Sequence, residues 1–183
     1  MNISEFISQM EERRPPASET DLVAFEAGIG CRLPEDYRQF LRSANGGSVN
    51  DDRFTHSGSG LYVCSVGGIA ELVDNRECYQ ISERRIPDEL LWIADTDSSA
   101  AFCIGLTGGQ RGTIYFWDNG NEPGSRWDGR FESAGNITLL ANSFTEFIDG
   151  LETPKRAEKR FGRMFSVTAI TAIALFVFYW ITK

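Results

Sequence analysis

The chain has 183 residues, 42 % of them hydrophobic and 24 % charged, which suits one globular domain and excludes a disordered polymer. The formal net charge of −8 is unevenly spread: residues 1–152 carry 12 Arg, no Lys and 25 Asp plus Glu, net −13, whereas residues 153–183 carry six basic residues and Glu158, net +5. An acidic body repels phosphates, so nucleic acid is excluded as its ligand, and a basic protein partner suits it.

In chain order, Ile3–Met10 reads as an amphipathic helix containing Glu5, not as a secretory leader. The body is therefore expected in a reducing compartment. Cys31, Cys64, Cys78 and Cys103 form no Cys-x-x-Cys pair and are expected to make no disulfide. Past Arg13-Arg-Pro-Pro16, Ser18-Glu-Thr-Asp21 is a capping-box variant that opens a second helix over Asp21–Ala27, with Leu22, Phe25 and Ile29 on its buried face. Residues 33–47, Leu-Pro-Glu-Asp-Tyr-Arg-Gln-Phe-Leu-Arg-Ser-Ala-Asn-Gly-Gly, predict a third helix. Pro34 takes its first position, Glu35 and Asp36 complement the dipole, and Tyr37, Phe40, Leu41 and Ala44 form one apolar stripe. Asn45, Gly46 and Gly47 are expected to close it in the left-handed conformation.

The next stretch predicts a polar loop over Asn50–Gly60, a first strand over Leu61–Val66 and a helix from Ile69 to about Glu83 with Leu72 and Val73 facing inward. Strands follow at Leu91–Ala94, at Ala101–Leu106 and, after the hairpin loop Thr107–Gly112, at Thr113–Trp117. The polar run Pro123–Asn136 has room for further short strands, and Ser143 with Glu146 opens the last helix of the body. The fold class is α+β, a mainly antiparallel sheet flanked by helices.

The identities of these residues carry a resemblance. The run E-T-D-L-V-A-F-E-A-G-I-G-C-R-L-P-E-D-Y-R-Q-F-L-R-S-A-N-G-G resembles the start of the SUKH superfamily domain, the Smi/Knr-like group. There a helix with a Phe-Glu pair leads to Leu-Pro, Asp-Tyr, Phe-Leu and Asn-Gly-Gly. Here those positions include Leu33, Pro34, Tyr37, Phe40, Leu41, Asn45, Gly46 and Gly47. Two later blocks agree in order: Leu91-Trp-Ile-Ala-Asp95 through Phe102–Leu106 to Gly112–Asp118, and Leu140-Ala141 followed by Ser143-Phe144 and Glu146–Ile148. Many members follow the Trp-Asp pair with His-Glu, whereas this chain has Asn119-Gly-Asn-Glu122, so the family's histidine has no counterpart. The resemblance spans roughly residues 3–151 and implies the same α+β fold.

Enzymatic chemistry finds little footing. The one histidine, His56, lies in the predicted loop with no base–nucleophile signature, and reads as a surface residue. Asp95-Thr-Asp97-Ser-Ser99 hints at a calcium loop but lacks the central Gly and the final Glu. Gly108-Gly109 and Gly112 have no following Lys-Ser/Thr, so they make a turn and not a phosphate cradle. No cofactor, metal or catalytic residue is assigned. Acidic and aromatic residues at predicted strand ends remain: Asp51, Asp52, Asp95, Asp97, Asp118 and Glu122, with Trp117 and Trp127 near them. Asp95, Asp97, Trp117, Asp118 and Glu122 are expected to converge on one edge of the domain as a partner-binding face, with ordinary turn chemistry the alternative for each carboxylate.

The composition changes after Gly150. Residues 1–152 form the domain, and 153–163 a basic linker with Lys155, Arg156, Lys159, Arg160 and Arg163. Residues 164–182 are an uncharged stretch about 28 Å long as a helix, close to the hydrocarbon thickness of a bilayer. With Tyr179 and Trp180 near one end, this predicts a single-pass transmembrane helix, the positive side holding the N-terminal domain in the cytoplasm. The resemblance implies a non-catalytic immunity protein that binds and neutralises a cognate toxin, often a nuclease, here tethered to the membrane. A membrane-anchored adaptor of the Smi/Knr type without a toxin partner is the alternative.

Overall fold

The computed structural model describes residues 1–49, 54–56, 61–98, 100–121 and 127–152. Three helices open the chain. Helix α1 (Ile3–Gln9) is capped by Asn2, whose side chain accepts from the Glu5 amide at 2.9 Å. Helix α2 (Glu19–Ile29) starts at a true capping box, Ser18 and Asp21 each accepting from the other's backbone amide, and ends at Gly30 with φ +76°. Helix α3 (Glu35–Ser43) buries Tyr37, Phe40, Leu41 and Ala44 as its spacing predicts. Pro34 is its N-cap and not its first helical residue, because its ψ of 138° is still extended.

The end of α3 corrects the sequence reading. Ala44 leaves the helix in an extended conformation, and Asn45, Gly46 and Gly47 serve a docking contact instead of a left-handed cap. The Asn45 side chain accepts from the Ile69 amide at 2.9 Å, capping the next helix. Gly46, at φ +80°, lies so close to the backbone of Val66, Gly67 and Gly68 that no side chain fits. Gly47 begins a strand.

Six strands form an antiparallel sheet in the order β1 (Gly47–Ser48), β3 (Ser65–Val66), β4 (Leu90–Asp95), β5 (Ala101–Gly105), β6 (Ile114–Trp117) and β7 (Ile137–Ala141). A second, two-stranded ribbon pairs β2 (Thr55–His56) with β8 (Leu151–Glu152). The predicted strand Leu61–Val66 shrinks to Ser65–Val66 plus a single bridge at Tyr62. The predicted loop Asn50–Gly60 contains β2, and residues 50–53 and 57–60 lie outside the described residues. Among the described residues of 123–136 there is no strand, only a 3₁₀ turn at Phe131–Ser133.

Helix α4 (Ile69–Arg76) continues as a π-helical segment, Glu77–Ser82. Leu72 is buried, but Val73 is 49 % exposed, because the helix turns only one narrow stripe inward. Helix α5 (Phe144–Asp149) is capped by Ser143, while the Glu146 carboxylate accepts from the Asn142 amide one residue earlier than a capping box requires.

The central strands are covered on both faces, which is why β4 and β5 read as continuous apolar runs and not as an alternation. On one face Phe102 packs on Phe147 of α5 at 5.0 Å, and Phe144 in turn contacts Tyr37 and Phe40 of α3. On the other, Trp117 packs on Tyr79 of the π-helical segment at 5.3 Å and Tyr115 on Phe131 at 5.1 Å. Successive residues of a strand point to opposite faces, so Phe116 and Trp117 serve the two layers separately. Among the described residues no helix is long and apolar enough to cross a membrane. The predicted span 164–182 and the basic linker 153–163 lie outside the described residues.

Candidate functional site

Strand register brings the predicted face together. Asp95 pairs with Ala101 and Ala101 with Trp117, so the three stand in one row across β4, β5 and β6. At this row opens a cleft of about 700 Å³, bordered by Cys64, Ser65, Tyr79, the Asp95–Ser98 turn, Trp117 and Asn119 among others.

Each wall has a local cause. A bulge between Trp92 and Ala94 puts Trp92 and Asp95 on the same face despite their odd spacing. The Trp92 indole then donates to one oxygen of Asp95 at 3.1 Å, and the Ser65 hydroxyl donates to the other at 3.0 Å. Asp95 is thus a brace between β3 and β4. The following turn is held by Thr96, whose hydroxyl donates to the Ala100 carbonyl at 3.0 Å and accepts from the Ser98 amide at 3.2 Å. Asp97, at the turn's tip, is exposed and makes no hydrogen bond or ion pair with any described residue.

The far wall is aromatic. Trp117 is 1 % exposed, and its Nε1–H is buried without a hydrogen-bond partner. The Arg85 guanidinium lies 5.1 Å from the Trp117 ring and 5.6 Å from that of Tyr79, and it donates to Asn119 and Glu83. Partial burial and the nearby Asp95 charge raise the pKa of the Tyr79 phenol, keeping it protonated at neutral pH.

Of the predicted binding residues, Asp95, Asp97 and Trp117 border the cleft. Asp118 turns away into its own 3₁₀ turn, accepting from the Gly120 amide at 2.9 Å and the Asn121 side chain at 2.7 Å. Glu122 lies outside the described residues. Sequence reasoning missed Ser65, Tyr79, Arg85 and Asn119. Only Asn119, next to the Trp-Asp pair, stood beside a signal.

His56 is half-buried and not a surface residue: it stacks on Phe147 at 5.7 Å, and burial lowers its pKa. Cys103 is a fully buried thiol whose pKa is driven up by desolvation. Among the described residues no three His, Cys, Asp or Glu side chains are grouped to hold a metal ion.

The residues the resemblance rested on are structural. Glu26 of the Phe-Glu pair accepts from the Leu33 amide at 3.0 Å and from Arg38 at 2.9 Å, Arg38 also pairs with Glu19, and Tyr37 reaches toward the Gly67 carbonyl. Residues 16–150 match the SMI1 / KNR4 family (SUKH-1). The chain belongs to that family. Proteins with a SUKH domain are of the toxin-immunity type and are generally non-catalytic. No curated protein matches the chain. In this SUKH-1 domain, then, the family's Asn-Gly-Gly, Leu-Pro and Phe-Glu elements build the scaffold, and the cleft stands on the strand ends that the scaffold holds.

Proposed function

We propose that this SUKH-1 domain is a stoichiometric immunity protein that binds and neutralises a cognate toxin through the Asp95–Trp117 cleft, with residues 164–182 tethering it to the membrane from the cytoplasmic side. The observation that carries the reading is the cleft itself: an unpartnered carboxylate beside a buried aromatic wall, on a body of net charge −13 that contains no Lys. Such a pairing has the parts of a protein hot spot, and its charge steers a basic partner such as a nuclease, raising on-rates by roughly 10–10³. The SUKH-1 family supports a toxin as that partner.

The test is charge reversal. Asp97→Lys and Glu122→Lys, alone and together, are expected to weaken toxin binding by about 1–5 kcal/mol per buried pair, with circular dichroism unchanged. Salt-independent, undiminished binding by the folded double variant would remove this face and leave the Asn50–Gly60 loop as the next candidate. His56→Ala is expected to leave protection intact, whereas protection at strongly substoichiometric inhibitor would mark an enzyme.

For the tether, the uncharged run 164–182 follows five basic residues and precedes only Lys183. The full chain is expected to sediment with membranes and resist alkaline extraction, and a chain ending at Glu152 to stay in the supernatant. Full-length protein free in the cytosol without detergent would defeat the tether and leave the binding reading untouched. A toxin gene beside this one separates the immunity reading from that of an anchored adaptor.

A further inference from the structure

We propose that the cleft is a slot for one arginine carried on an extended loop of the partner, read at two points: Asp97 takes the guanidinium, and the Trp117 indole N–H takes the loop's backbone carbonyl. This rests on the protein-binding reading above and gives its site a chemistry.

Two independent observations select that occupant. The first is the Trp117 N–H, buried without an acceptor. A buried donor left unpaired costs free energy, so an acceptor brought by a partner is bound with that cost relieved. The second is Asp97. It borders the same cleft as Asp95, but both Asp95 oxygens are already engaged by Trp92 and Ser65, while Asp97 has no partner among the described residues. An acceptor that is itself a carboxylate or phosphate would be repelled by these two acids. A neutral amide carbonyl is not.

A ligand must therefore bring an acceptor without charge and a cation within one residue's reach, which is what a peptide unit bearing a basic side chain supplies. The volume of about 700 Å³ is of the size that takes such a unit with its side chain, and Ala100, Ala101 and Tyr79 line it for the side chain's methylenes. Arginine is favoured over lysine because its planar fork meets a carboxylate through two parallel hydrogen bonds. Arg85 does not fill this role for Asp97: it stacks on the Tyr79 and Trp117 rings and donates to Glu83 and Asn119.

The experiment uses the full chain in mild non-ionic detergent, labelled with ¹⁵N, and follows the indole resonance of Trp117, assigned with Trp117→Phe. The probes are acetyl-Gly-Arg-Gly-amide and the same peptide with citrulline, which keeps the shape and carbonyls but loses the charge. The arginine peptide is expected to move the Trp117 indole resonance saturably, and the citrulline peptide to bind about tenfold more weakly or less. Asp97→Asn, at an exposed position that should not disturb folding, is expected to lose the same factor while its spectrum stays dispersed. No saturable shift at Trp117, equal affinity for the two peptides, or unchanged binding by Asp97→Asn would each overturn the slot. If the slot fails while charge reversal still weakens toxin binding, only the slot is lost. If the peptide binds as expected but no toxin does, the immunity reading is lost and the slot stands.

Discussion

Arg38→Ala is expected to destabilise the domain by about 3–5 kcal/mol, the cost of leaving a buried charge without its partner. Arg38 is 2 % exposed on α3, between Glu26 and Glu19 of α2. The loss comes mainly through Glu26, whose side chain is 11 % exposed and would keep a carboxylate out of water with only the Leu33 amide to hold it. Glu19, 60 % exposed, is rehydrated cheaply. The hydrogen bond to Glu19, with that to Glu26, holds the Arg38 pKa above its ordinary value, so the cation persists at every accessible pH. Urea titration measures the effect, since guanidinium would screen the pair. Replacing both partners, Arg38→Met with Glu26→Gln, is expected to recover part of the loss, because the orphaned charge disappears with its partner. A loss below about 1 kcal/mol for Arg38→Ala would show that water reaches Glu26 freely.

Gly46→Ala is the second large effect, expected to cost about 2–5 kcal/mol from two sources. Its φ of +80° penalises any Cβ by roughly 1–2 kcal/mol. The Cβ would also stand 2.2 Å from the Gly68 nitrogen and 2.7 Å from the Val66 oxygen, backbone atoms that cannot swing aside, which adds roughly 1–3 kcal/mol of overpacking. Gly28→Ala is the control. It lies within α2 with nothing inside 4 Å of the added atom, and should stabilise by about 0.5–1 kcal/mol. Equal and small effects at both positions would mean that the loop carrying Gly46 moves easily and that its contact with Val66–Gly68 holds nothing in place.

Elements whose burial follows one period were legible. The apolar stripe of α3, the capping box of α2 and the hairpin from Ala101 to Trp117 all appear where the residues place them. Elements defined by a partner were not. Strands β1, β2 and β8 are two residues long and exist only through their pairing, so no local pattern announces them. Asn45-Gly46-Gly47 misled for a related reason. The residues suit a helix cap, yet their use is settled by a segment some twenty residues on. At the site, the row Asp95–Ala101–Trp117 followed from strand ends, but the aromatic wall did not, since Tyr79 comes from a helix whose geometry changes partway. Asp118 shows the opposite failure: its carboxylate is spent on its own turn, a use that composition cannot separate from binding.

That change of geometry within the helix has a consequence for how the family can diverge. A π-helical turn holds about one residue more than the α-helical turn it replaces. Deleting a single residue between Glu77 and Ser82 would let the segment relax to an α-helix and rotate everything after the cut by about 100°. Tyr79 would leave Trp117, and Gln80, which donates to the carbonyls of Pro87 at 2.9 Å and Leu90, would lose its anchor on the strand. Substitutions along the exposed face of α4 would be absorbed with little effect, but a change of length there would not. In a protein pressed to track a changing partner, lineages can vary the tip of the Asp97 turn freely while the residue count between Ile69 and Leu90 stays locked.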